Sequence, residues 1–165
     1  MLDSRLRPLI DPPLNAIGKG LARAGITANQ VTIAGAVIGI GAGVAIGYHY
    51  YLLGLVLVLL SRVLDGLDGA VARVTKQSDF GGYLDIVSDF AFYVAVPLGF
   101  GFAASANLAF AMILIASFTL TGISFLAYAV MAAKAGRETD AHGKKSFFYN
   151  TGLAEGTETI TAFVL

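Results

Sequence analysis

Apolar stretches long enough to cross a lipid bilayer dominate this sequence. Hydrophobic residues occupy 56% of its 165 positions, and charged residues occupy only 13%. About 20 consecutive apolar residues suffice for a helix to span the hydrocarbon core. The sequence therefore predicts an all-α, polytopic transmembrane helical bundle that forms one domain over residues 1–165. The helices are expected over residues 28–50, 51–76, 82–104 and 108–133.

The segment before the first apolar stretch has a different character. Residues 1–25 begin with a stretch interrupted by prolines and then mix apolar and basic residues. We expect a short amphipathic helix over about residues 14–25 that lies on the membrane surface. The net charge of the whole chain is zero, which suggests neither nucleic acid nor an acidic partner.

Ionisable residues within apolar surroundings mark residues 61–90. Such groups are costly to bury in lipid, so they indicate a functional interior. Asp85 and Asp89, four residues apart, share one face of a helix. The preceding QSDFGG stretch predicts a turn, so two neighbouring helices would oppose their acidic faces. On the helix before the turn, five residues share one face with the spacing i, i+3, i+4, i+7 and i+8: Asp65, Asp68, Gly69, Ala72 and Arg73.

The chemistry of four converging carboxylates indicates bound cations. In a site of low dielectric constant, they cannot all stay ionised unless positive charge neutralises them. Ligation by oxygen alone suits hard divalent ions such as Mg²⁺ or Mn²⁺. Two such ions about 3.5–4 Å apart would form a clamp for displacement at a phosphoryl group.

The full pattern, D-x₂-D-G-x₂-A-R-x₇-G-x₃-D-x₃-D, resembles the signature of the CDP-alcohol phosphatidyltransferase family. Its eight fixed residues over 25 positions are all present, from Asp65 through Gly81 to Asp89. The resemblance implies a membrane transferase of phospholipid biosynthesis. It would move a phosphatidyl or related lipid-phosphate group from a CDP-linked donor, such as CDP-diacylglycerol, to a polar alcohol and release CMP.

The resemblance also implies a division of labour among the four carboxylates. Asp65, Asp68 and Asp85 would bind one Mg²⁺ or Mn²⁺ ion, and Asp65, Asp85 and Asp89 the other. Asp89 is in addition the expected catalytic base, which takes the proton from the attacking hydroxyl.

Residues expected to bind the CDP donor lie on three segments. Arg73 would bind a donor phosphate, while Gly69 and Ala72 would let the nucleotide approach the helix backbone. The ITANQVT segment resembles a nucleotide-contacting segment of the family, although helix capping is an alternative role there. Ser78 matches a hydroxyl position near the CDP phosphates and serves equally well as a turn residue. The two positions in ITANQVT are Asn29 and Thr32.

The acceptor alcohol is left open by the sequence. SFLAYAVMAAKAGRE and TGLAEGTETI resemble stretches of members that use inositol phosphate, but those members typically carry arginines at the positions of Gly156 and Thr159. Without these arginines an acceptor phosphate would be poorly held, which disfavours inositol phosphate. The remaining candidates for acceptor binding are basic residues, for which contact with solvent or with lipid headgroups is an equal alternative: Lys134, Arg137, Lys144 and Lys145.

Family members usually have six transmembrane helices. Here a polar loop over residues 134–150 would precede a fifth helix near Thr151, and the sequence stops in the apolar run ITAFVL. We therefore expect the rest of the fifth helix and the sixth helix to be missing from this sequence.

Basic residues predict the orientation of the chain. Lys and Arg flank the start of the first helix, the end of the second and the end of the fourth, whereas the turns near residues 47–51 and 104–107 carry neither. This asymmetry predicts a cytoplasmic amino terminus and a cytoplasmic active site in the cell or inner membrane. Glycines recur every fourth residue from Gly35 to Gly47, which predicts close helix packing, with or without dimerisation. We expect a homodimer.

Two other classes of membrane protein use intramembrane carboxylates. A prenyltransferase has two Asp-rich motifs far apart in a longer chain, whereas all four Asp lie within 25 positions here. A cation transporter would not need Gly69, Ala72 and Arg73 on the same helical face, and the arginine would repel its ion. The transferase is therefore favoured over both.

Overall fold

The computed structural model describes residues 3–134, and this part of the chain is helical. The predictions for residues 135–165, including the fifth helix, lie outside the described residues. The described chain contains five α-helices, with a short 3₁₀ helix at Ser105–Asn107 before the last one. The α-helices are α1 (Asp3–Arg23), α2 (Ala28–Gly47), α3 (Tyr51–Val74), α4 (Asp79–Ala103) and α5 (Leu108–Lys134).

Three of these helices are long and apolar enough to cross a membrane. They are α2, α4, and α5 with the 3₁₀ turn before it. The prediction of a helical membrane bundle is confirmed. The sequence analysis also expected α3 to span the membrane. Within the described chain its composition does not qualify it as a membrane span, because Arg62, Asp65 and Asp68 interrupt its apolar run. It is nevertheless 24 residues long and packs along α2.

The bundle is organised around α2. This helix packs against both α3 and α4, while α5 packs on α4 and α1 packs on α3. The central core lies where α2, α3 and α4 meet, and α3 and α4 also carry the acidic motif. Its buried residues are Ala42, Ile46, Val58, Phe92 and Val96.

The first helix is longer than its sequence predicts. It begins at Asp3 instead of near residue 14 and continues through Pro12 and Pro13. Each proline removes one N–H donor, but its fixed φ angle is compatible with a helix. Because Pro13 has no N–H, the backbone carbonyl of Leu9 lacks its helical hydrogen-bond donor. Leu9 is 73% exposed, so solvent can replace that donor. Leu14 packs on a second core cluster, which fixes α1 against α3.

Side-chain caps define where two site-bearing helices begin. The Thr27 side chain accepts a hydrogen bond from the Gln30 backbone N–H, and the Gln30 side chain accepts one from the Thr27 N–H, at 3.3 and 2.9 Å. Such reciprocal capping stabilises a helix start. Ser78 Oγ accepts a hydrogen bond from Gly81 N at 3.0 Å. This cap starts α4 at Asp79, three residues before the predicted boundary.

The glycine stripe of α2 is an intramolecular packing surface. A Cβ atom at Gly39 would lie 2.8 Å from Ser61 Oγ on α3. At Gly43 it would collide with the backbone carbonyl of Ala95 on α4, and a Cβ at Gly99 would collide with the carbonyl of Gly43. The prediction of close helix approach is confirmed within the chain, and this approach packs both α3 and α4 against α2.

Candidate active site

Three carboxylates from two helices lie close together in the described chain. Asp65, Asp68 and Asp85 each offer one oxygen atom, and these atoms lie within 4.8 Å of one another. Asp65 and Asp68 are on α3, and Asp85 is on α4. A group of carboxylate oxygens at this separation matches the ligand chemistry of Mg²⁺ or Mn²⁺. The donor set therefore fits one such ion.

Asp68 is the most enclosed of the three and has a partner on α2. It is 6% exposed, and its Oδ2 accepts a hydrogen bond of 2.6 Å from Thr32 Oγ1. The same hydroxyl lies 3.0 Å from the carbonyl of Ala28 in its own helix. Thr32 thus fixes the orientation of an acidic side chain on the neighbouring helix. This contact gives it a role besides the expected contact with the donor.

Asp89 occupies a different environment from the other three carboxylates. Its Oδ1 accepts a hydrogen bond of 2.8 Å from Nη1 of Arg62, and the same nitrogen lies 3.8 Å from Asp65 Oδ2. Among the described residues, the compact group of carboxylates contains Asp85 but not Asp89. Arg62 therefore pairs most closely with Asp89 and also reaches Asp65, a member of the three-carboxylate group.

A small cavity lies beside these groups. It is bordered by side chains and backbone of all three central helices, and its lining is polar on the α3 side. The lining residues are Thr32, Gly35, Ala36, Ser61, Arg62, Asp65, Asp68 and Ser88.

Arg73 lies at the exposed end of α3, one helical turn beyond Gly69. Its guanidinium donates two hydrogen bonds to Asn15 Oδ1 on α1, at 2.9 Å from Nη2 and 3.3 Å from Nε. A Cβ atom at Gly69 would be 3.4 Å from Nη1 of Arg73. Ala72 is half-buried beside it. Asn15 thus holds Arg73 over the surface that Gly69 leaves open.

Asn29 and Ser78 converge on the start of α4. A Cβ atom at Gly81 would be 3.1 Å from Ser78 Oγ and 3.2 Å from Asn29 Oδ1. The Ser78 hydroxyl caps α4, a role that the sequence analysis did not assign to it. The fixed glycine of the motif thus leaves room for two polar side chains from separate segments.

The candidate acceptor residues are mostly beyond this part of the chain. Lys134 is the last residue of α5 and is exposed. Arg137, Lys144 and Lys145 lie outside the described residues, as do Gly156 and Thr159.

Two site residues were missed by the sequence analysis. Arg62 precedes Asp65 by three positions and therefore lies on the same helical face, which was the available signal. Asn15 is separated from Arg73 by 58 positions, and nothing in the local sequence of α1 marks it as a partner.

Comparison with known proteins identifies the family of this chain. The model of the CDP-alcohol phosphatidyltransferase family matches residues 25–153. The chain belongs to the CDP-alcohol phosphatidyltransferase family. A family member of this kind transfers a lipid-phosphate group from a CDP-linked lipid to an alcohol in phospholipid biosynthesis, and this is the function of the chain at that level. The prediction of family and reaction type is confirmed.

Two known proteins are similar in sequence to large parts of this chain. The inner membrane protein YnjF of Escherichia coli is 47% identical over the whole chain, and the match covers 81% of YnjF. The archaetidylinositol phosphate synthase of Pyrococcus horikoshii is 45% identical over 91 residues, which are 52% of this chain and 46% of that protein. No solved structure matches the chain significantly. The membrane helices and the YnjF match make it an integral membrane protein.

Proposed function

We propose that this phosphatidyltransferase works with two Mg²⁺ or Mn²⁺ ions, held by Asp65, Asp68, Asp85 and Asp89. The observation that carries the proposal is the group of three carboxylate oxygens within 4.8 Å of one another. The resemblance assigns Asp65, Asp68 and Asp85 to one ion and Asp65, Asp85 and Asp89 to the other. When bound, the ions supply positive charge to the donor diphosphate and to the departing CMP.

Asp89 is proposed as the base of the reaction. The acceptor hydroxyl gives its proton to a carboxylate oxygen of Asp89 as it attacks the phosphorus atom of the donor. Arg62 already holds Oδ1 at 2.8 Å, so the orientation of the carboxylate is fixed before the acceptor binds. Asp89 is half-buried, which leaves its carboxylate accessible to a second substrate.

The CDP donor is proposed to lie along the exposed end of α3. Arg73 would pair with a donor phosphate, for which a guanidinium is well suited because it donates several hydrogen bonds in a plane. Gly69 and Ala72 present little side-chain bulk on the same face. The remaining polar residues expected to contact the donor are Asn29, Thr32 and Ser78.

The proposed acceptor is a polar alcohol. We propose that basic residues at the end of α5 and after it bind this alcohol. These residues are Lys134, Arg137, Lys144 and Lys145. Similarity to an archaetidylinositol phosphate synthase makes inositol phosphate an acceptor to be tested. Gly156 and Thr159, where arginines are expected in users of that acceptor, still argue against it.

The arrangement in the cell completes the proposal. The chain forms one domain over residues 1–165, associates as a homodimer and keeps its amino terminus and active site on the cytoplasmic side. The distribution of Lys and Arg supports this orientation. A lipid-linked donor would then enter from the bilayer with its nucleotide in cytoplasmic water.

The direct test is CMP release from CDP-diacylglycerol by the purified chain in vesicles, with a panel of polar alcohols that includes inositol phosphate. We expect release with a subset of alcohols, loss of release in EDTA, and recovery with Mg²⁺ or Mn²⁺. Asp65→Asn should lower turnover by at least about 100-fold, because it removes a charge shared by both ions. Release that persists after exhaustive chelation would refute the two-ion mechanism.

The role of Asp89 is tested separately by its amide variant. Asp89→Asn should lower turnover by about 10²–10⁴-fold, the usual contribution of general base catalysis, while the affinity for the CDP donor falls much less. Donor affinity is measured by equilibrium binding of a labelled CDP-lipid, with Asp65→Asn in parallel. Equal loss of donor binding in the two variants would contradict the role of Asp89 as a base.

A further inference from the structure

Arg62 is a largely buried cation inside the acidic site, and the proposed reaction uses it only to orient Asp89. It lies on α3 one turn before Asp65, and its side chain is 12% exposed. Nη1 is 2.8 Å from Asp89 Oδ1 and 3.8 Å from Asp65 Oδ2. The guanidinium thus bridges a carboxylate of its own helix and one of α4.

Aromatic and polar contacts hold this guanidinium in place. Its central carbon lies 4.0 Å from the ring centroid of Phe92, a fully buried residue, which is a cation–π distance. Nη2 lies 3.4 Å from Ser61 Oγ, and Nε is buried with no hydrogen-bond partner in the described chain. Arg62 is therefore retained by charge and stacking although one of its donors stays unsatisfied.

The position of Arg62 has a consequence for the four carboxylates. Its guanidinium lies 2.8 Å from Asp89 Oδ1, whereas the Oδ2 atom of Asp65, a residue that forms the compact group with Asp68 and Asp85, lies 3.8 Å away. A cation that approaches Asp89 therefore meets a positive charge already in contact with that carboxylate. A cation that approaches the group of three meets an excess of negative charge.

We propose that Arg62 is the built-in counter-cation of Asp89 and makes the Asp89-containing metal position the weaker of the two. This inference rests on the proposed function, in which Asp89 is a ligand of the second ion. Arg62 is a positioning residue: it keeps Asp89 oriented and lowers the affinity for the second ion, while the first ion binds at the group of three. Binding of metal ions then occurs in two steps of unequal affinity.

The test is a titration of Mn²⁺ into the full chain in detergent. Binding is measured by calorimetry and by the electron paramagnetic resonance signal of free Mn²⁺. We expect two steps for the wild-type chain. Arg62→Gln should tighten the weaker step by about tenfold or more, because it removes a repelling charge within a few ångströms. The tighter step should tighten by a smaller factor, because Arg62 Nη1 lies 3.8 Å from one of its ligands, Asp65, but 2.8 Å from Asp89.

Charge and geometry are separated by matched variants. Arg62→Lys keeps the positive charge, so its weaker step should stay weak. Arg23→Gln removes one exposed cation at the end of α1 and should leave both steps unchanged. Arg62→Met keeps much of the side-chain length against the Phe92 ring, so it replaces Arg62→Gln if that variant does not fold, with the same expectation.

The outcomes also distinguish this inference from the function on which it rests. If Arg62→Gln or Arg62→Met melts at a lower temperature but leaves both Mn²⁺ steps unchanged, Arg62 only joins α3 to α4 and the inference is wrong. If the weaker Mn²⁺-binding step becomes weaker still in these variants, the inference is also wrong. If the wild-type chain binds no Mn²⁺, or Asp65→Asn binds it equally well, the two-ion site itself is refuted.

Discussion

At the scale of single residues, the contact between Thr32 and Asp68 shows how a neighbouring helix prepares a carboxylate for its role. Thr32→Val keeps the shape of the side chain but removes the donor of the 2.6 Å hydrogen bond. Loss of an outer-shell partner typically costs about 10–100-fold in metal affinity, so we expect the Mg²⁺ concentration for half-maximal activity to rise by that factor. The unfolding free energy should fall by about 1–3 kcal/mol.

Thr32→Ser is the matched control for this residue, since it keeps the hydroxyl and should behave almost as the wild-type chain. The two roles of Thr32 also differ in their dependence on metal. If Thr32→Val raised the KM for the CDP donor at saturating Mg²⁺ and left the metal dependence unchanged, a direct contact with the donor would explain the effect and the positioning role would be wrong.

At the scale of helices, the approach of α2 to α4 determines whether Asp85 reaches the two carboxylates of α3. Gly43→Ala adds a Cβ atom that collides with the backbone of Ala95. Overpacking of this kind costs about 1–3 kcal/mol, so we expect a lower melting temperature in detergent together with weaker Mn²⁺ binding. Gly41→Ala is the control, because its Cβ would lie 4.0 Å from Leu57 Cδ1. Equal melting temperatures for the two variants would show that α2 and α4 have room to separate.

At the scale of the whole molecule, the orientation in the membrane determines which substrates reach the site. Because the chain has no cysteine, single cysteines report on one position each. Lys76→Cys, just beyond α3, should resist membrane-impermeant thiol reagents in intact cells, whereas His49→Cys, between α2 and α3, should react. Permeabilised cells provide the control, since both positions should then be labelled. Labelling of Lys76→Cys but not of His49→Cys in intact cells would invert the proposed topology.

The local features of this protein could be predicted from its sequence. Helix periodicity places Asp65, Asp68 and Arg73 on one face whatever the surrounding fold, and apolar length predicts the helices that carry them. The caps at Thr27 and Ser78 are equally local, since each involves residues three positions apart. Family membership followed from the same spacing and was confirmed by the match over residues 25–153.

The contacts between helices were decided only by the tertiary structure. The pairing of Arg62 with Asp89 spans 27 positions, and that of Arg73 with Asn15 spans 58. Such pairs depend on crossing angles and on the close approach of α2 to its neighbours, which short-range periodicity does not encode. For the same reason the sequence predicted four converging carboxylates, whereas the structure brings three of them together and pairs Asp89 with Arg62. Spacing along one helix fixes which side chains share a face, but the packing of several helices fixes which of those side chains meet.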